Sequence, residues 1–541
     1  MSFSLRRIAG LALAALPVHL VLIQPNHPDA LGWDLLAQMP LELPVVLALA
    51  VLAGPRGWAG RLVRAAVTVA LVLVFVVKLA DMATFIAYDR AFNPVMDIHL
   101  AEAGLRLAGS TIGWPPAIAL AVLLGIAPFL LAALLWWAVG RWARLGNLPL
   151  ARWPAGAAGM AALVLLVLQV GAARQAWTLP FAVPGDIFNS RLAIDRVATY
   201  RRLIADLADF RAEAGRDPFA DAAGLFDRLE GRDVLVVFIE SYARTSYDNP
   251  LYAPTHLARL AEEGEKIAAA GLAMRSGWLE SPVSGGQSWL AHATLASGLR
   301  IDNQARYRAL LASPRRWLYH LAGRAGYRTA TFMPAITLPW PEARFMGFAD
   351  IFEAGDMGYR GEAFNWTTMP DQYTLSAIER LLPWEDEPVF AMTALLSSHA
   401  PWTPVPRLFD WDEIGDGALF GAGSHDGPPA GAVWGDRELM REQYRLAVDY
   451  SLETVFDFAA RNAGRDWLLV VLGDHPPAIS VSQIESRAVP VHIIGSMEAL
   501  APIADWGFAP GLIPAQEASI WPMEAFRDRF VAAFSSAAPG S

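Results

Sequence analysis

Long apolar runs fill the first third of the 541-residue chain and constrain its fold more than any other feature. Lipid offers no hydrogen bonds to an exposed backbone, so a lipid-exposed segment must be an α-helix or part of a closed barrel. A helix needs about 20 apolar residues to cross a bilayer. The runs lie at about 8–24, 34–53, 62–86, 115–139 and 154–173. The sequence therefore predicts an α-helical transmembrane domain of about five spans over residues 1–173.

Arginine clusters between the runs indicate the orientation of this domain, because positive residues favour the cytoplasmic side of a membrane. The clusters are Arg6 and Arg7, then Arg56, Arg61 and Arg64, then Arg141, Arg144 and Arg152. All three fall on one side if the chain crosses at each run. The amino terminus is then cytoplasmic, and the chain after about residue 173 lies outside.

Two alternatives remain for the N-terminal region. A cleaved signal peptide also fits Arg6-Arg7 followed by an apolar stretch, although no clear small-x-small cleavage site follows it. A transporter is the other alternative, which the lack of a visible inverted repeat weakens. His19, Lys78 and Asp81 lie near the ends of the runs, where interfacial placement is the simplest interpretation.

After residue 173 the composition becomes that of a soluble protein. Residues 174–232 have helical spacing and predict a connector, residues 233–535 fit one α/β domain with helices on both faces of a sheet, and residues 536–541 form a tail. Strands are predicted at 233–239, 328–333, 388–396, 467–472 and 489–494. Helices are predicted at 254–264, 288–297, 315–325, 372–382, 436–462 and 522–534.

Three of these strands end in polar residues of the kind that bind metals: Glu240, Ser397-Ser398-His399 and Asp474-His475. Buried parallel strands read as continuous apolar runs, and ligands bind at their carboxyl ends. Two carboxylates and one imidazole suit Zn²⁺ or Mn²⁺ and tolerate Mg²⁺. The chain has no Cys, which excludes thiolate ligands, disulfides and a Cys nucleophile.

A candidate nucleophile lies in the segment Ser284-Gly285-Gly286-Gln287-Ser288. If the hydroxyl of Ser288 is a fourth metal ligand, the cation lowers its pKa and makes it reactive. At a helix start, Ser288 also has backbone N–H groups nearby that receive phosphate or sulfate oxygens. His399 is the candidate for binding a phosphoryl oxygen or protonating a leaving alcohol.

The order of these motifs resembles that of the alkaline-phosphatase/sulfatase superfamily. The motifs are Ile239-Glu240-Ser241, Gly286-Gln287-Ser288, Ser397-Ser398-His399 and Gly473-Asp474-His475-Pro476-Pro477. Most similar are its membrane-anchored lipoteichoic acid synthases, phosphoglycerol transferases and phosphoethanolamine transferases, which place five spans before an extracytoplasmic sulfatase-like domain. The resemblance implies that Glu240, Asp474 and His475 bind one divalent cation with Ser288. It also implies that Ser288 replaces the nucleophilic Thr and that His399 contacts the substrate phosphate.

Spacing supports Ser288 over Ser284 within this resemblance. Leu295 and Gly298 lie seven and ten residues after Ser288, where sulfatases place Leu and Gly after their nucleophile. The Pro and Arg of the sulfatase signature are replaced by Leu290 and His292, which disfavours a formylglycine sulfatase.

The candidate substrate-binding residues rest on less specific similarities to the family. Trp340 and Arg344 lie where lipoteichoic acid synthases place aromatic and basic residues against glycerol phosphate, although the spacing to the following Gly347-Phe348 differs. His292 is one helical turn after Ser288, and it either faces the site or is an ordinary satisfied histidine. Asp371 is predicted to be a helix N-cap.

The resemblance implies a metal-dependent transferase of the bacterial cytoplasmic (inner) membrane. Such an enzyme moves a phosphoglycerol-type head group from a membrane phospholipid to a glycan or glycolipid hydroxyl through a covalent phosphoserine. Phosphoethanolamine transferases of this type commonly carry disulfides, so the lack of Cys favours phosphoglycerol. A phosphate or sulfate ester hydrolase is an alternative function. The complete set of proposed metal-ligand residues argues against a membrane receptor or transport regulator. A net charge of −10 without a basic stripe argues against nucleic acid as a partner.

Overall fold

The computed structural model describes residues 5–536, apart from residues 89, 98, 99, 182, 365, 366, 383, 385, 386, 422 and 424. Two compact units divide the chain. One contains Met1–Pro94 and Gly113–Asp206, and the other contains Val95–Ile112 and Leu207–Ser541. Of the predicted C-terminal tail, residues 537–541 lie outside the described part.

The N-terminal part of the chain is mainly helical. Its helices are α1 Leu5–Ile23, α2 Glu42–Ala53, α3 Gly57–Tyr88, α4 Pro94–Asp97, α5 Leu100–Ile112, α6 Trp114–Ala143, α7 Pro149–Ala173 and α8 Phe188–Ala214. Among the described residues, four helices are long and apolar enough to cross a membrane, namely α1, α3, α6 and α7. They confirm the predicted helical membrane domain.

The second predicted span, at 34–53, is wrong as a full-length helix. Residues Trp33–Ala37 form a 3₁₀ turn, and α2 has only 12 residues. At 1.5 Å per residue α2 is about 18 Å long, which is shorter than the hydrocarbon core of about 30 Å. Glu42, the first residue of α2, is held from outside the helix. The buried carboxylate of Glu42 accepts hydrogen bonds from the backbone N–H and the hydroxyl of Ser190, both at 2.8 Å.

The larger unit contains an α/β domain. Its strands are β1 Asp233–Ile239, β2 Ala273–Glu280, β3 Arg328–Met333, β4 Asp350–Glu353, β5 Val389–Ala394, β6 Val405–Pro406, β7 His425–Asp426, β8 Trp467–Gly473, β9 Ala488–Gly495, β10 Ala509–Pro510 and β11 Ile520–Pro522. Its helices are α9 Thr245–Asp248, α10 Ala253–Ala269, α11 Ser288–Ser297, α12 Gln304–Leu311, α13 Leu318–Arg324, α14 Ala343–Met346, α15 Asp371–Leu381, α16 Ala430–Gly435, α17 Arg437–Arg461, α18 Ile479–Ser482 and α19 Ala525–Phe534.

The main sheet has the strand order β10-β2-β9-β8-β1-β5-β3-β4, with β11 beside β2. The five neighbouring strands β8, β1, β5, β3 and β4 are parallel. Strand β9 is antiparallel to β8, and β2 is antiparallel to β9. The prediction of a mostly parallel sheet is confirmed.

Strand β1 shows why these sequences form a sheet covered on both faces. Val234, Val236 and Phe238 belong to one buried apolar cluster, whereas their neighbours Leu235, Val237 and Ile239 belong to another. Successive side chains of a strand point to opposite faces, so an unbroken apolar run fits a strand with a core on each side. The first polar residue, Glu240, therefore emerges at the carboxyl edge of the sheet.

Candidate active site

Glu240, Asp474 and His475 meet at the carboxyl ends of two neighbouring strands. Strands β1 and β8 are paired in parallel with Ile239 opposite Gly473, so the residues that follow each strand lie side by side. One ligand atom from each of the three residues lies within 4.8 Å of the others. Glu240 is 7% exposed, and Asp474 and His475 are each 1% exposed. The structure thus brings together three predicted metal ligands.

The Ser288 hydroxyl points into this cluster. Its Oγ donates a hydrogen bond to Glu240 Oε2 at 2.8 Å and lies 3.1 Å from His475 Nε2. Helix α11 begins at Ser288, as predicted from the sequence. A metal ion held by Glu240 and His475 would therefore have Ser288 Oγ within reach.

The loop before Ser288 has an unusual backbone. Gln287 has φ of 66°, in the left-handed region, and Gly285 has φ of 73°. A residue other than glycine in this region costs about 1–3 kcal/mol and persists only where its surroundings hold it. One contact that fixes this loop is the hydrogen bond from the Gly285 N–H to the Pro476 carbonyl at 2.9 Å, which joins the loop to the segment after His475. The strain is therefore located beside the candidate nucleophile.

Backbone contacts orient His475 and Asp474. His475 Nδ1 donates to the Pro476 carbonyl at 2.9 Å, which leaves Nε2 directed at Ser288 and Glu240. This tautomer is the one that a metal ligand through Nε2 requires. Asp474 Oδ1 accepts the backbone N–H groups of Ser241 and His475 at 2.8 and 2.7 Å, so Oδ2 is the oxygen nearer the His475 ring.

Sequence analysis missed several serines that support this site. Ser398 Oγ donates to the backbone carbonyl of Glu240 at 2.7 Å, and Ser281 Oγ donates to that of Asp474 at 2.6 Å. Ser398 lies beside the predicted His399, so that motif was a partial signal. Ser281 is an isolated serine after β2, and no spacing pattern distinguishes it.

His399 lies beyond β5 and is half-buried. Its Nδ1 donates to the Ala400 carbonyl at 2.8 Å. The His399 ring acts electrostatically on Glu240: burial favours the neutral carboxyl, but the positive charges of His399 and His475 hold the pKa of Glu240 well below its usual range. The His399 side chain is therefore near enough to Glu240 to influence its charge.

Asp371 is not an N-cap, which corrects the sequence interpretation. Pro370 occupies the N-cap position of α15. The Oδ1 atom of Asp371 accepts the backbone N–H groups of Leu396 and Ser397, both at 2.8 Å, and Ser451 Oγ donates to its Oδ2 at 2.6 Å. Asp371 thus holds the segment that leads from β5 to His399.

The metal-ligand cluster is short of positive charge. Burial and the charge of Glu240 raise the pKa of Asp474 to about 8. Burial lowers the pKa of His475, but the charges of Asp474 and Glu240 outweigh it and raise that pKa to about 9. At neutral pH, Asp474 and His475 therefore keep their protons. A divalent cation would replace those protons, and an oxygen and imidazole ligand set suits Zn²⁺ or Mn²⁺.

The predicted substrate-binding residues separate into two groups. His292 and Trp340 line one cavity of about 430 Å³, and the His292 ring packs on Phe238 with centroids 4.2 Å apart. Burial lowers the pKa of His292 to about 3, so its ring is neutral. Arg344 is exposed on α14 and does not line this cavity. The structure therefore brings His292 and Trp340 together, but not Arg344.

Comparison with known proteins agrees with this architecture. The sulfatase family model matches residues 232–502, which is half of the chain. The chain belongs to the sulfatase family. No curated protein matches the sequence.

Solved structures similar to this chain include three bacterial proteins. A lipoteichoic acid synthase from Listeria monocytogenes is 13% identical, with a TM-score of 0.34 over 53% of this chain and 70% of that protein. A protein of the alkaline phosphatase superfamily from Vibrio parahaemolyticus is 14% identical, with a TM-score of 0.38 over 62% and 75%. A Streptococcus pyogenes phosphoglycerol transferase is 13% identical, with a TM-score of 0.34 over 53% and 74%.

Proposed function

We propose that this sulfatase-family chain is a metal-dependent phosphotransferase that moves a phosphoglycerol-type head group from a membrane phospholipid to an acceptor hydroxyl of a glycan or glycolipid. The observation that supports it most is the position of Ser288 Oγ, 2.8 Å from Glu240 within the buried cluster of metal-ligand residues. A hydroxyl in this position serves covalent catalysis on phosphorus.

Glu240, Asp474, His475 and Ser288 would hold one divalent ion, with Mn²⁺ and Zn²⁺ the first candidates and Mg²⁺ the third. When bound, the ion lowers the pKa of the Ser288 hydroxyl and offsets the negative charge of the substrate. The fit rests on this chain's own side chains: two buried carboxylates and an imidazole whose Nε2 is directed inward.

The proposed reaction has two balanced steps. In the first, Ser288 Oγ, having released its proton to water, bonds to phosphorus while the bond from phosphorus to the diacylglycerol oxygen breaks. His399 gives that oxygen its proton. In the second step the acceptor hydroxyl returns a proton to His399 and its oxygen bonds to phosphorus. The bond to Ser288 breaks, and the serine regains a proton from water.

The membrane helices fit a lipid donor. A catalytic domain anchored to the bilayer searches for its donor in a plane rather than in a volume, which raises the effective donor concentration. We place this domain on the outer side of a bacterial cytoplasmic membrane. The arginine clusters support that side if α2, although short, carries the chain across between Arg7 and Arg56.

A hydrolase is the second candidate, and the sulfatase family match favours it. Water would take the place of the acceptor in the second step, and the same residues would act. A phosphoethanolamine transferase is the third candidate, which the lack of Cys disfavours.

The test is turnover of fluorescent phosphatidylglycerol and phosphatidylethanolamine by the full-length protein in nanodiscs with Mn²⁺. We expect diacylglycerol from phosphatidylglycerol and a phosphoglycerol adduct on Ser288 by mass spectrometry. Ser288→Ala should lower turnover by about 10³-fold or more, whereas Ser284→Ala in the same loop should retain it. Diacylglycerol from neither lipid, or unchanged turnover in Ser288→Ala, would overturn the proposal. Release of free glycerol phosphate without transfer to an added glycan would favour the hydrolase.

A further inference from the structure

The turn that follows strand β1 contacts two of the proposed metal ligands. Its central residue, Ser241, has φ of 59°, in the left-handed region. The backbone N–H of Ser241 donates to Asp474 Oδ1 at 2.8 Å, and its hydroxyl donates to Glu240 Oε1 at 3.1 Å. A residue other than glycine keeps this conformation only where its surroundings hold it. The geometry of the two carboxylates therefore depends on what holds Ser241.

The same turn packs directly on the end of strand β8. The carbonyl oxygen of Tyr242 lies beside Gly473, the residue before Asp474, and a Cβ built on that glycine would lie 1.6 Å from this oxygen. A side chain at Gly473 is thus excluded by the close approach of the two segments. Any shift of the turn would be transmitted to Asp474.

A tyrosine from a helix far along the chain holds this turn. Tyr444 lies on α17 and is 0% exposed. Its hydroxyl donates to the Ser241 carbonyl at 2.9 Å. The two peptide groups of Ser241 are therefore both bonded, one to Asp474 and the other to Tyr444. Burial raises the pKa of Tyr444 well above its usual value, so the hydroxyl keeps its proton and remains a donor.

The ring of Tyr444 contacts the segment that carries His399. It packs edge to face on Trp402, with centroids 5.6 Å apart and ring planes at 86°. The Trp402 N–H donates to the His399 carbonyl at 2.9 Å. Trp402 has φ of 61°, so this segment also keeps a residue other than glycine in the left-handed region. One side chain thus contacts a strained residue in each of two segments of the candidate active site.

We propose that Tyr444 is a positioning residue for the proposed phosphotransfer. Through Ser241 its hydroxyl fixes the turn that contacts two metal ligands, and through Trp402 its ring fixes the segment that follows His399. The inference rests on the proposed function, because it assigns Tyr444 a role in cation binding and in protonation of the leaving alcohol. Residues that orient metal ligands in this way typically change metal affinity by about 10–100-fold when they are replaced.

Metal affinity tests the role of the hydroxyl without relying on turnover. The full-length protein in nanodiscs, without substrate, is titrated with Mn²⁺, and free Mn²⁺ is measured by electron paramagnetic resonance. Tyr444→Phe keeps the ring and removes the donor to the Ser241 carbonyl. We expect it to weaken Mn²⁺ binding about tenfold or more, because the turn and Asp474 are then less well fixed.

Tyr252→Phe is the matched control for a loss of stability alone. Tyr252 is buried in the same core, packs on Tyr444 with centroids 4.9 Å apart, and donates its hydroxyl to the Val481 carbonyl at 2.8 Å. Each variant therefore loses one buried hydrogen bond to a backbone carbonyl. We expect comparable falls in the thermal midpoint of the metal-free proteins. Mn²⁺ binding should weaken in Tyr444→Phe and be retained in Tyr252→Phe.

Leaving-group dependence tests the role of the ring. Two phosphodiesters with a glycerol head group are compared at saturating Mn²⁺, one with an alkyl alcohol and one with p-nitrophenol as the leaving group. The alkyl alcohol needs the proton proposed to come from His399, whereas p-nitrophenolate leaves without one. Tyr444→Leu and the milder Trp402→Phe, which both alter the ring contact, should slow the alkyl diester about tenfold more than the p-nitrophenyl diester. Tyr444→Phe should keep the wild-type ratio.

The outcomes separate this inference from the proposed function. Equal Mn²⁺ affinity in wild type and Tyr444→Phe, or equal weakening in Tyr252→Phe, would overturn the role of the hydroxyl while the proposed function stands. An unchanged ratio of the two diesters in Tyr444→Leu and Trp402→Phe would overturn the role of the ring. A wild-type protein that binds no Mn²⁺ and turns over neither diester would overturn the proposed function, and this inference with it.

Discussion

Two buried ionic clusters of the α/β domain differ in how their charges balance. In the Asp217 cluster, the carboxylate of Asp217 lies 2.6 Å from Arg527 and 3.6 Å from Arg315, and Arg527 also pairs with Asp528 at 2.6 Å. Two guanidinium groups therefore face two carboxylates. In the metal-ligand cluster, the carboxylates of Glu240 and Asp474 lie 3.3 and 3.8 Å from the His475 imidazole, no guanidinium in the described part of the chain pairs with them, and the His399 ring adds its charge only near Glu240.

The pKa shifts follow from this difference. Burial disfavours the charged form of Asp217, but the Arg527 charge outweighs it and the pKa of Asp217 is lowered. Asp474 is also buried, and the charge of the Glu240 carboxylate acts together with burial to raise its pKa to about 8. Removing one partner from a balanced cluster leaves an unpaired buried charge, whereas an unbalanced cluster of carboxylates can gain from binding a cation. From this contrast we expect Asp217 to serve stability, and Glu240 and Asp474 to serve the proposed cation binding.

The largest expected effect is that of removing charge from the metal-ligand cluster. Glu240→Gln should lower metal-dependent turnover about 10³-fold, because one carboxylate ligand and the hydrogen-bond acceptor of Ser288 are changed together. Metal content measured by mass spectrometry should fall with turnover. Unfolding of the metal-free variant should occur at the same temperature as the wild type or higher, since a buried negative charge is lost. Glu262→Gln, at an exposed position, is the matched control.

Breaking the Asp217 cluster should instead lower the free energy of unfolding. Asp217→Ala leaves Arg315 and Arg527 buried without that partner, and we expect a loss of about 3–5 kcal/mol in unfolding free energy. Because the folded pKa of Asp217 is lowered, its contribution is present above its unfolded pKa of about 3.9 and disappears as the pH falls through the folded value. Thermal unfolding of the detergent-solubilised chain checks this, and metal binding by the folded variant should be retained. A loss of metal affinity at unchanged stability would contradict the assignment.

Asp371 sharpens the comparison because it is a buried carboxylate that accepts hydrogen bonds from neutral groups. Burial raises its pKa, and its contacts are two N–H groups and the Ser451 hydroxyl. Asp371→Asn keeps an oxygen acceptor and should cost less than about 1 kcal/mol, whereas Asp371→Ala orphans two buried N–H groups and should cost about 1–3 kcal/mol. Urea unfolding of both variants measures the difference. Equal losses would show that the charge, rather than the acceptor, holds the segment before His399.

The pH dependence of metal binding tests the unbalanced cluster in another way. The raised pKa values of Asp474 and His475, about 8 and about 9, mean that protons occupy the site at pH 7 and must leave when a cation enters. Affinity should therefore rise with pH, by about tenfold per unit for each proton displaced between pH 6 and 8. Calorimetric titration of Mn²⁺ at several pH values measures the slope. A flat profile would mean that the cluster enters binding already deprotonated.

Much of the α/β domain was predictable from local patterns. Short runs rich in Val and Ile, such as 234–239, favour a strand covered on both sides, so the strand ends before Glu240 and Asp474 could be predicted from the sequence. Strand β2 was missed because Arg275, Ser276 and Gly277 interrupt its apolar pattern, and β4 because it has only four half-buried residues.

The features that the sequence did not predict depend on contacts between residues far apart in the chain. Helix α2 begins at Glu42, eight residues after the start of the predicted span, and the Glu42 carboxylate is bound by Ser190, which lies 148 positions away and which no sequence pattern indicates. The role of Asp371 likewise depends on Leu396 and Ser451, which lie on other elements. The cavity beside α11 combines Trp289 with Tyr319 and Trp340 from three separate segments. Sequence patterns identify the residues that a strand end presents, whereas such partners emerge only in the folded chain.

The pairing of β1 with β8 has a consequence for biosynthesis. Ser241 and Asp474 are joined by a hydrogen bond across 233 positions, so the ribosome must finish most of the soluble domain before the metal ligands can meet. Nascent and truncated chains that end before residue 474 therefore hold no complete cation site. If the proposed cation binds, it meets the complete set of ligands only after residue 475 has been synthesised and the two strands have paired.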